Sequence, residues 1–214
     1  MQTNSSPQNR KRGTAAQQHA CGAFGTASGL WGKVTDKQWW AWHGAAKKEK
    51  RRRHWTAKRR LTPQNLFTEI NSQQAFLGLP PFMDPPERPA FTADPLGPLI
   101  AGDGPHGATL KLLVPKVPAG HVLVFGARPC SPGRRYCDKW KYLGLLPAPS
   151  GGVSDITLLY YAKYGVPRPG SRVIIATQQQ LNGWRDMLMR LDVVIPVGQG
   201  PATRPKRRKT TAGA

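Results

Sequence analysis

Five prolines within ten residues constrain the fold of this chain more than any other feature: Pro80, Pro81, Pro85, Pro86 and Pro89. Proline lacks a backbone N–H and fixes φ at about −65°, so neither a helix nor a central strand continues through such a cluster. We therefore predict a stiff, extended linker over residues 79–90. This linker divides the 214-residue chain into two parts with different sequence patterns.

The first helix of the N-terminal part is marked by its cap. Thr35 and Gln38 are three residues apart and fit a capping box, in which their side chains satisfy backbone groups at the helix start. Trp39 and Trp42 then recur at helical spacing. Lysines and arginines follow, and cations suit the negative end of the helix dipole. We expect this helix to end near Arg53.

A second helix is predicted between Thr62 and Gly78. Thr62 is a favourable N-cap, Pro63 occupies the first helical position, and Gly78 can close the helix. The two helices form a basic helical region at residues 30–78. The preceding residues 1–29 are polar, aperiodic and rich in Gly and Ala, so we predict that they are disordered.

Short runs of β-branched and apolar residues, separated by Gly/Pro turns, follow the linker. They predict an antiparallel β-sandwich over residues 91–198. The segment 155–165 keeps helical spacing instead, with Asp155 able to cap and Gly165 able to terminate, so we predict one short inserted helix. The fold class is mixed and mainly β, and residues 199–214 form a disordered basic tail. The strand-like runs lie at residues 109–114, 121–125, 139–146, 172–177 and 190–195.

Several short motifs follow one another along the chain: Leu61–Phe67 with Asn71, Gly78–Pro81 leading to Pro85-Pro86, Arg128–Arg134, Tyr164–Pro167 and Gly183-Trp184. Their order resembles a group of uncharacterised bacterial and phage-associated proteins. In that group a Trp-bearing helical region precedes a fibronectin type III-like β-sandwich. The resemblance covers residues 24–198 and implies a fold but no activity.

The sequence carries none of the motifs that mark a catalytic centre. G-x-S-x-G and H-E-x-x-H are absent, and the cysteines and histidines show no metal-ligand spacing. The glycine-rich match at residues 102–107 contains Pro105 and precedes a strand-like run, so we interpret it as a turn. We predict no catalytic residue, no metal, no cofactor and no enzyme activity. With no signal peptide or membrane span visible, we expect a cytoplasmic protein.

The charge balance points to a polyanionic partner, since 32 Lys and Arg outnumber 11 Asp and Glu. The densest run has nine Lys or Arg and one Glu within residues 47–60. Such cations release condensed counterions when they dock on phosphates; with about six contacts, log affinity falls against log salt with a slope of about −5. An aromatic in the run can stack on an unpaired base. The candidate nucleic-acid-binding residues are Lys47, Lys48, Lys50, Arg51, Arg52, Arg53, Trp55, Lys58, Arg59 and Arg60.

Two functions remain open at this point. The first is a non-enzymatic protein that binds nucleic acid non-specifically through its basic helical region and tails, with the β-sandwich as a docking module. The alternative is a structural or assembly component, as in a phage particle, whose sandwich contacts other proteins and whose basic run is only a solvated helix end. We expect Trp31, Trp39, Trp40 and Trp42 to pack in a small helical core, with a base-stacking platform as the alternative.

Overall fold

The computed structural model of the protein describes residues 14–49, 61–104, 107–137 and 139–197. These residues cluster into two compact units. The first unit comprises the described residues of Met1–Ala93 together with Pro118–Val122 and Gln178–Met187, and the remaining described residues form the second unit. Three stretches of the region 91–198 thus cluster with the N-terminal helices: 91–93, 118–122 and 178–187.

Three α-helices lie in the described part of the first unit: α1 at Ala15–Leu30, α2 at Asp36–Lys48 and α3 at Pro63–Phe76, with a short 3₁₀ turn at Trp31–Lys33. Both predicted N-caps are confirmed. The Thr35 hydroxyl accepts a hydrogen bond from the backbone N–H of Gln38, and the Thr62 hydroxyl accepts one from Asn65. Because Glu49 is extended, α2 ends at Lys48, earlier than expected.

The predicted disorder of residues 1–29 is wrong for residues 15–29, which lie in helix α1. The described part of the first unit therefore has three α-helices where two were predicted. Thr14 and Gln17 form a capping box at its start. Ala23 and Ala27, four residues apart on one face, are buried where α1 packs on α3. Small side chains allow that close approach, and this is why α1 forms without a stripe of large apolar residues. Residues 1–13 and 198–214, also predicted to be disordered, lie outside the described residues.

The core of the first unit is built around Trp42, which is fully buried. Phe67 of α3 contacts its indole ring edge-on, with ring centroids 5.2 Å apart. The other buried members of this cluster are Ala46, Leu66, Ile70 and Trp184. Trp184 comes from the segment 178–187, so the helical core depends on residues more than a hundred positions away along the chain.

The proline-rich segment 79–90 contains neither helix nor strand, as predicted. It also contacts the helical core. The Trp42 indole N–H donates a hydrogen bond to the Met83 carbonyl at 2.7 Å. The Asn71 side chain makes two hydrogen bonds to the backbone of Phe82, at 2.7 and 3.0 Å. These contacts hold the segment against α2 and α3.

Two antiparallel sheets account for the strands in the described residues. One sheet has the order β1-β2-β5; the other has the order β4-β3-β6-β7, with β8 also paired to β6. The predicted β-sandwich class is confirmed. The strands are β1 Leu99–Gly104, β2 Gly107–Leu113, β3 His121–Gly126, β4 Lys141–Leu145, β5 Val153–Asp155, β6 Arg172–Leu181, β7 Trp184–Arg185 and β8 Met189–Val194.

Both sheets contribute to the core of the second unit. Leu110 and Leu112 of β2 and Val173 and Ile175 of β6 belong to one buried cluster. The predicted inserted helix is confirmed as α4, Thr157–Tyr164, which adds the buried Tyr160 to that cluster. Gly165 ends α4 with a φ of +73°, a conformation that favours glycine.

Candidate nucleic-acid interface

An exposed aromatic surface lies on α2. Trp40 is 65% exposed and Trp39 is 38% exposed. Their rings meet edge-to-face with centroids 4.9 Å apart. The His43 ring stacks on Trp39 at 5.4 Å, with the two ring planes 14° apart. We call Trp39, Trp40 and His43 the α2 aromatic face.

Helical geometry explains why these rings are left outside the core. Successive residues of an α-helix are separated by about 100° around its axis. Trp42 and Ala46 therefore share one side, which faces the core, and both are buried. Trp40 and His43 lie towards the opposite side, and Trp39 lies at the border between the two.

The expectation that the tryptophans pack together in the core is half right. Trp42 is buried, and Trp31 packs against Phe67 with ring centroids 5.2 Å apart. Trp39 and Trp40 are exposed, so the expected core packing is wrong for these two. Helical spacing separates Trp40 from Trp42 but places Trp39 on the same face as Trp42, so spacing alone could have identified only Trp40 as exposed.

The aromatic face adjoins the start of the basic run. Lys47 is one helical turn after His43, and both Lys47 and Lys48 are exposed in the last turn of α2. Glu49, the one acid of the run, is paired with Arg88, whose guanidinium lies 2.8 and 2.9 Å from its two carboxylate oxygens. Because Glu49 is engaged by Arg88, it neutralises less of the positive charge of the run.

The structure brings two of the predicted binding residues, Lys47 and Lys48, next to this face. The other candidates lie outside the described residues: Lys50, Arg51, Arg52, Arg53, Trp55, Lys58, Arg59 and Arg60. Trp39, Trp40 and His43 are not among the predicted binding residues, and the structure leaves all three exposed on α2.

Other kinds of site receive little support within the described residues. No group of three or more His, Cys, Asp or Glu side chains is placed to hold a metal ion there. In the same part of the chain, every helix is too short or too polar to cross a membrane. Burial raises the pKa values of Tyr142, Tyr160, Tyr161 and Tyr164 above the ordinary value of 10.0. The four phenols are therefore neutral near pH 7, as an exposed tyrosine also is.

Comparison with known proteins adds no relative. No protein-family model matches the sequence, and neither a curated protein nor a solved structure matches the chain. The resemblance to phage-associated proteins therefore stays a prediction.

Proposed function

We propose that this protein binds single-stranded nucleic acid without sequence selectivity. In this proposal Lys47, Lys48 and the cations of residues 50–60 contact phosphates. Trp39 and Trp40 stack on unpaired bases, as Trp55 of the basic run does. The protein then acts as a binding protein and carries out no chemistry on the strand.

The observation that carries the proposal is the exposed pair of indole rings directly before the basic run. Large aromatic side chains normally bury their area in a core, so two adjacent exposed ones indicate a contact surface. Bases of every type have a π face, so aromatic stacking tolerates any sequence. A line of cations beside such rings matches a strand whose phosphates and bases are both accessible.

Single strands are favoured over duplexes because of the rings. In a duplex the bases are stacked on one another, so their faces are not available to aromatic side chains, and a cationic helix end contacts mainly phosphates. A surface that used charge alone would need no exposed tryptophan pair. The aromatic face therefore predicts tighter binding to a single strand than to a duplex at equal salt.

The alternative remains an assembly component whose sandwich contacts other proteins. It predicts that loss of the indole rings leaves nucleic-acid binding unchanged. The two proposals therefore differ in one binding measurement.

That measurement compares Trp39→Ala/Trp40→Ala with the wild type for a fluorescent 20-nucleotide single strand and the matching duplex, by anisotropy. Stacking contributes about 1–3 kcal/mol per base. The double variant should thus bind the single strand at least about fivefold more weakly, with duplex affinity little changed. Phe24→Ala, which removes a 59%-exposed ring from α1, is the matched control. Equal single-strand affinities for wild type and double variant would refute the stacking role.

A further inference from the structure

A second cationic feature lies in the second unit, in the loop that follows β3. A cleft of about 630 Å³ is lined by Arg128, Arg134, Lys139 and Lys141, together with Tyr136 and Tyr164. We call it the basic cleft. Sites for small organic ligands typically have volumes of about 300–1,000 Å³, so the cleft has room for one such molecule.

A neighbouring cavity extends the same positive surface. It measures about 710 Å³ and shares Arg128 and Tyr164 with the basic cleft. Lys163 and Arg168 line it in addition, so six cations surround the two cavities. No described acidic residue lines either one. Asp138, the one acid between residues 128 and 141, lies outside the described residues.

One part of the wall of the basic cleft is held in place by hydrogen bonds. The backbone N–H of Cys130 donates to the Arg172 carbonyl at 3.0 Å, and the Arg172 N–H donates back at 2.8 Å. The Arg172 side chain also donates to the Pro132 carbonyl at 2.8 Å. On the other side, the Tyr164 hydroxyl donates to the Gly126 carbonyl at 2.8 Å. These bonds hold residues 126–132 against β6 and α4, so this part of the wall needs no ordering when a ligand binds.

The positive charges of the basic cleft are not offset by any described carboxylate in its lining. Among the described residues, none of the four lining cations forms an ion pair. Like charges that converge on one cavity repel one another, and a bound anion relieves that repulsion. Several positive charges favour a multiply charged anion over a single carboxylate. A phosphate monoester is close to dianionic at pH 7 and offers three acceptor oxygens, which match the donor fork of arginine.

We propose that the basic cleft binds the phosphate monoester of a nucleotide. Arg128, Arg134 and the two lysines hold the phosphate, and the exposed ring of Tyr136 supports the base by stacking. The same chemistry has two sources, a free mononucleotide and the 5′-phosphorylated end of a strand. The proposal rests on the second unit alone and does not depend on the α2 aromatic face.

The test measures binding of AMP, and of one decanucleotide with and without a 5′-phosphate, to the full chain. Arg128→Gln/Lys141→Gln removes two exposed cations of the cleft. It should weaken AMP binding by roughly tenfold or more, since charge-assisted contacts are the strong ones. Lys111→Gln/Arg190→Gln removes two exposed cations elsewhere in the same unit and should leave AMP binding unchanged.

The oligonucleotides separate the two sources. A preference for the 5′-phosphorylated strand that disappears in Arg128→Gln/Lys141→Gln supports capture of a strand end. AMP binding without that preference supports a free nucleotide. If AMP does not bind and the 5′-phosphate adds no affinity, or if the cleft variant matches its control, the proposal is overturned. These outcomes do not depend on whether Trp39→Ala/Trp40→Ala weakens single-strand binding.

A readout on the wild-type chain makes the test independent of any variant. Cys130 and Cys137 line the basic cleft, whereas Cys21 is exposed on α1 in the first unit. AMP at saturating concentration should slow alkylation of Cys130 and Cys137 and leave Cys21 unaffected. Unchanged alkylation rates at all three thiols would contradict occupation of the cleft.

Discussion

A single methyl group at Gly183 should disrupt the first unit. Gly183 has a φ of +78°, and a Cβ built there would lie 2.5 Å from both the Cγ2 atom and the carbonyl oxygen of Ile70. The left-handed conformation costs an alanine about 1–2 kcal/mol, and the overlap adds about 1–3 kcal/mol. Gly183→Ala is therefore expected to lower the free energy of unfolding by about 2–5 kcal/mol, out of a typical total of about 5–15 kcal/mol.

Urea unfolding followed by tryptophan fluorescence measures this effect. Five of the seven tryptophans belong to the described first unit, so the signal reports mainly on that unit: Trp31, Trp39, Trp40, Trp42 and Trp184. With an m-value of about 2 kcal/mol per molar urea, the midpoint should fall by about 1 M or more.

Gly44→Ala is the matched control, because it makes the same chemical change in the same unit. No atom lies within 4 Å of a Cβ built at Gly44, which is inside α2. This variant should gain up to about 1 kcal/mol from helix propensity. A Gly183→Ala midpoint equal to that of the wild type would refute the packing of the 178–187 turn on α3.

Two further predictions concern buried polar groups. Gln180 is fully buried, and its side-chain amide has no hydrogen-bond partner among the described residues. Gln180→Met should therefore raise the free energy of unfolding, measured in urea, by about 1–3 kcal/mol. A decrease would show that the amide has a partner. Burial raises the pKa of Tyr160 above its ordinary value of 10.0, so the folded chain keeps a proton that the unfolded chain loses. The contribution of Tyr160 to the free energy of unfolding should thus be constant below pH 10, and the free energy should fall as the pH rises above 10. Tyr160→Phe should reduce the difference between the urea midpoints at pH 8 and pH 11. An unchanged difference would contradict the raised pKa of Tyr160 as its cause.

Features set by neighbouring residues could be predicted from the sequence. The caps at Thr35 and Thr62 and the stop at Gly165 each depend on hydrogen bonds or dihedral angles within a few positions. The proline-rich segment also lacks helix and strand for a local reason, the missing N–H groups. The larger strands could be predicted as well, because alternation of apolar residues is a pattern between neighbouring positions.

Features set by distant partners could not be predicted. Helix α1 has small residues on its buried face, and its packing becomes visible only once α3 lies beside Ala23 and Ala27. The glycine-rich strand β1 pairs with β2 in a register that places Leu99 opposite Leu112. The very short strands β5 and β7 have too few residues to show any alternation.

The candidate site shows the same division. The basic run is evident from composition, but the aromatic face requires knowing which side of α2 the core occupies. Trp39 and Trp42 are three positions apart, so helical spacing alone places both on one face. The buried pair is Trp42 and Ala46 instead, because Leu66, Phe67 and Ile70 of α3 pack on that side.

The salt dependence of single-strand binding tests the central claim most directly. A single strand releases fewer counterions per phosphate contact than a duplex, so with about six contacts the log–log slope for the wild type should be about −4. Affinity for the single strand should then fall about 300-fold between 50 and 200 mM salt. Changing the nine Lys and Arg residues of 47–60 to Gln should bring the slope close to zero. Changing instead the eight cations of residues 1–13 and 199–214 to Gln should leave most of the wild-type slope. If the chain without the nine cations keeps the wild-type slope and affinity, the basic run does not bind nucleic acid and the account is wrong.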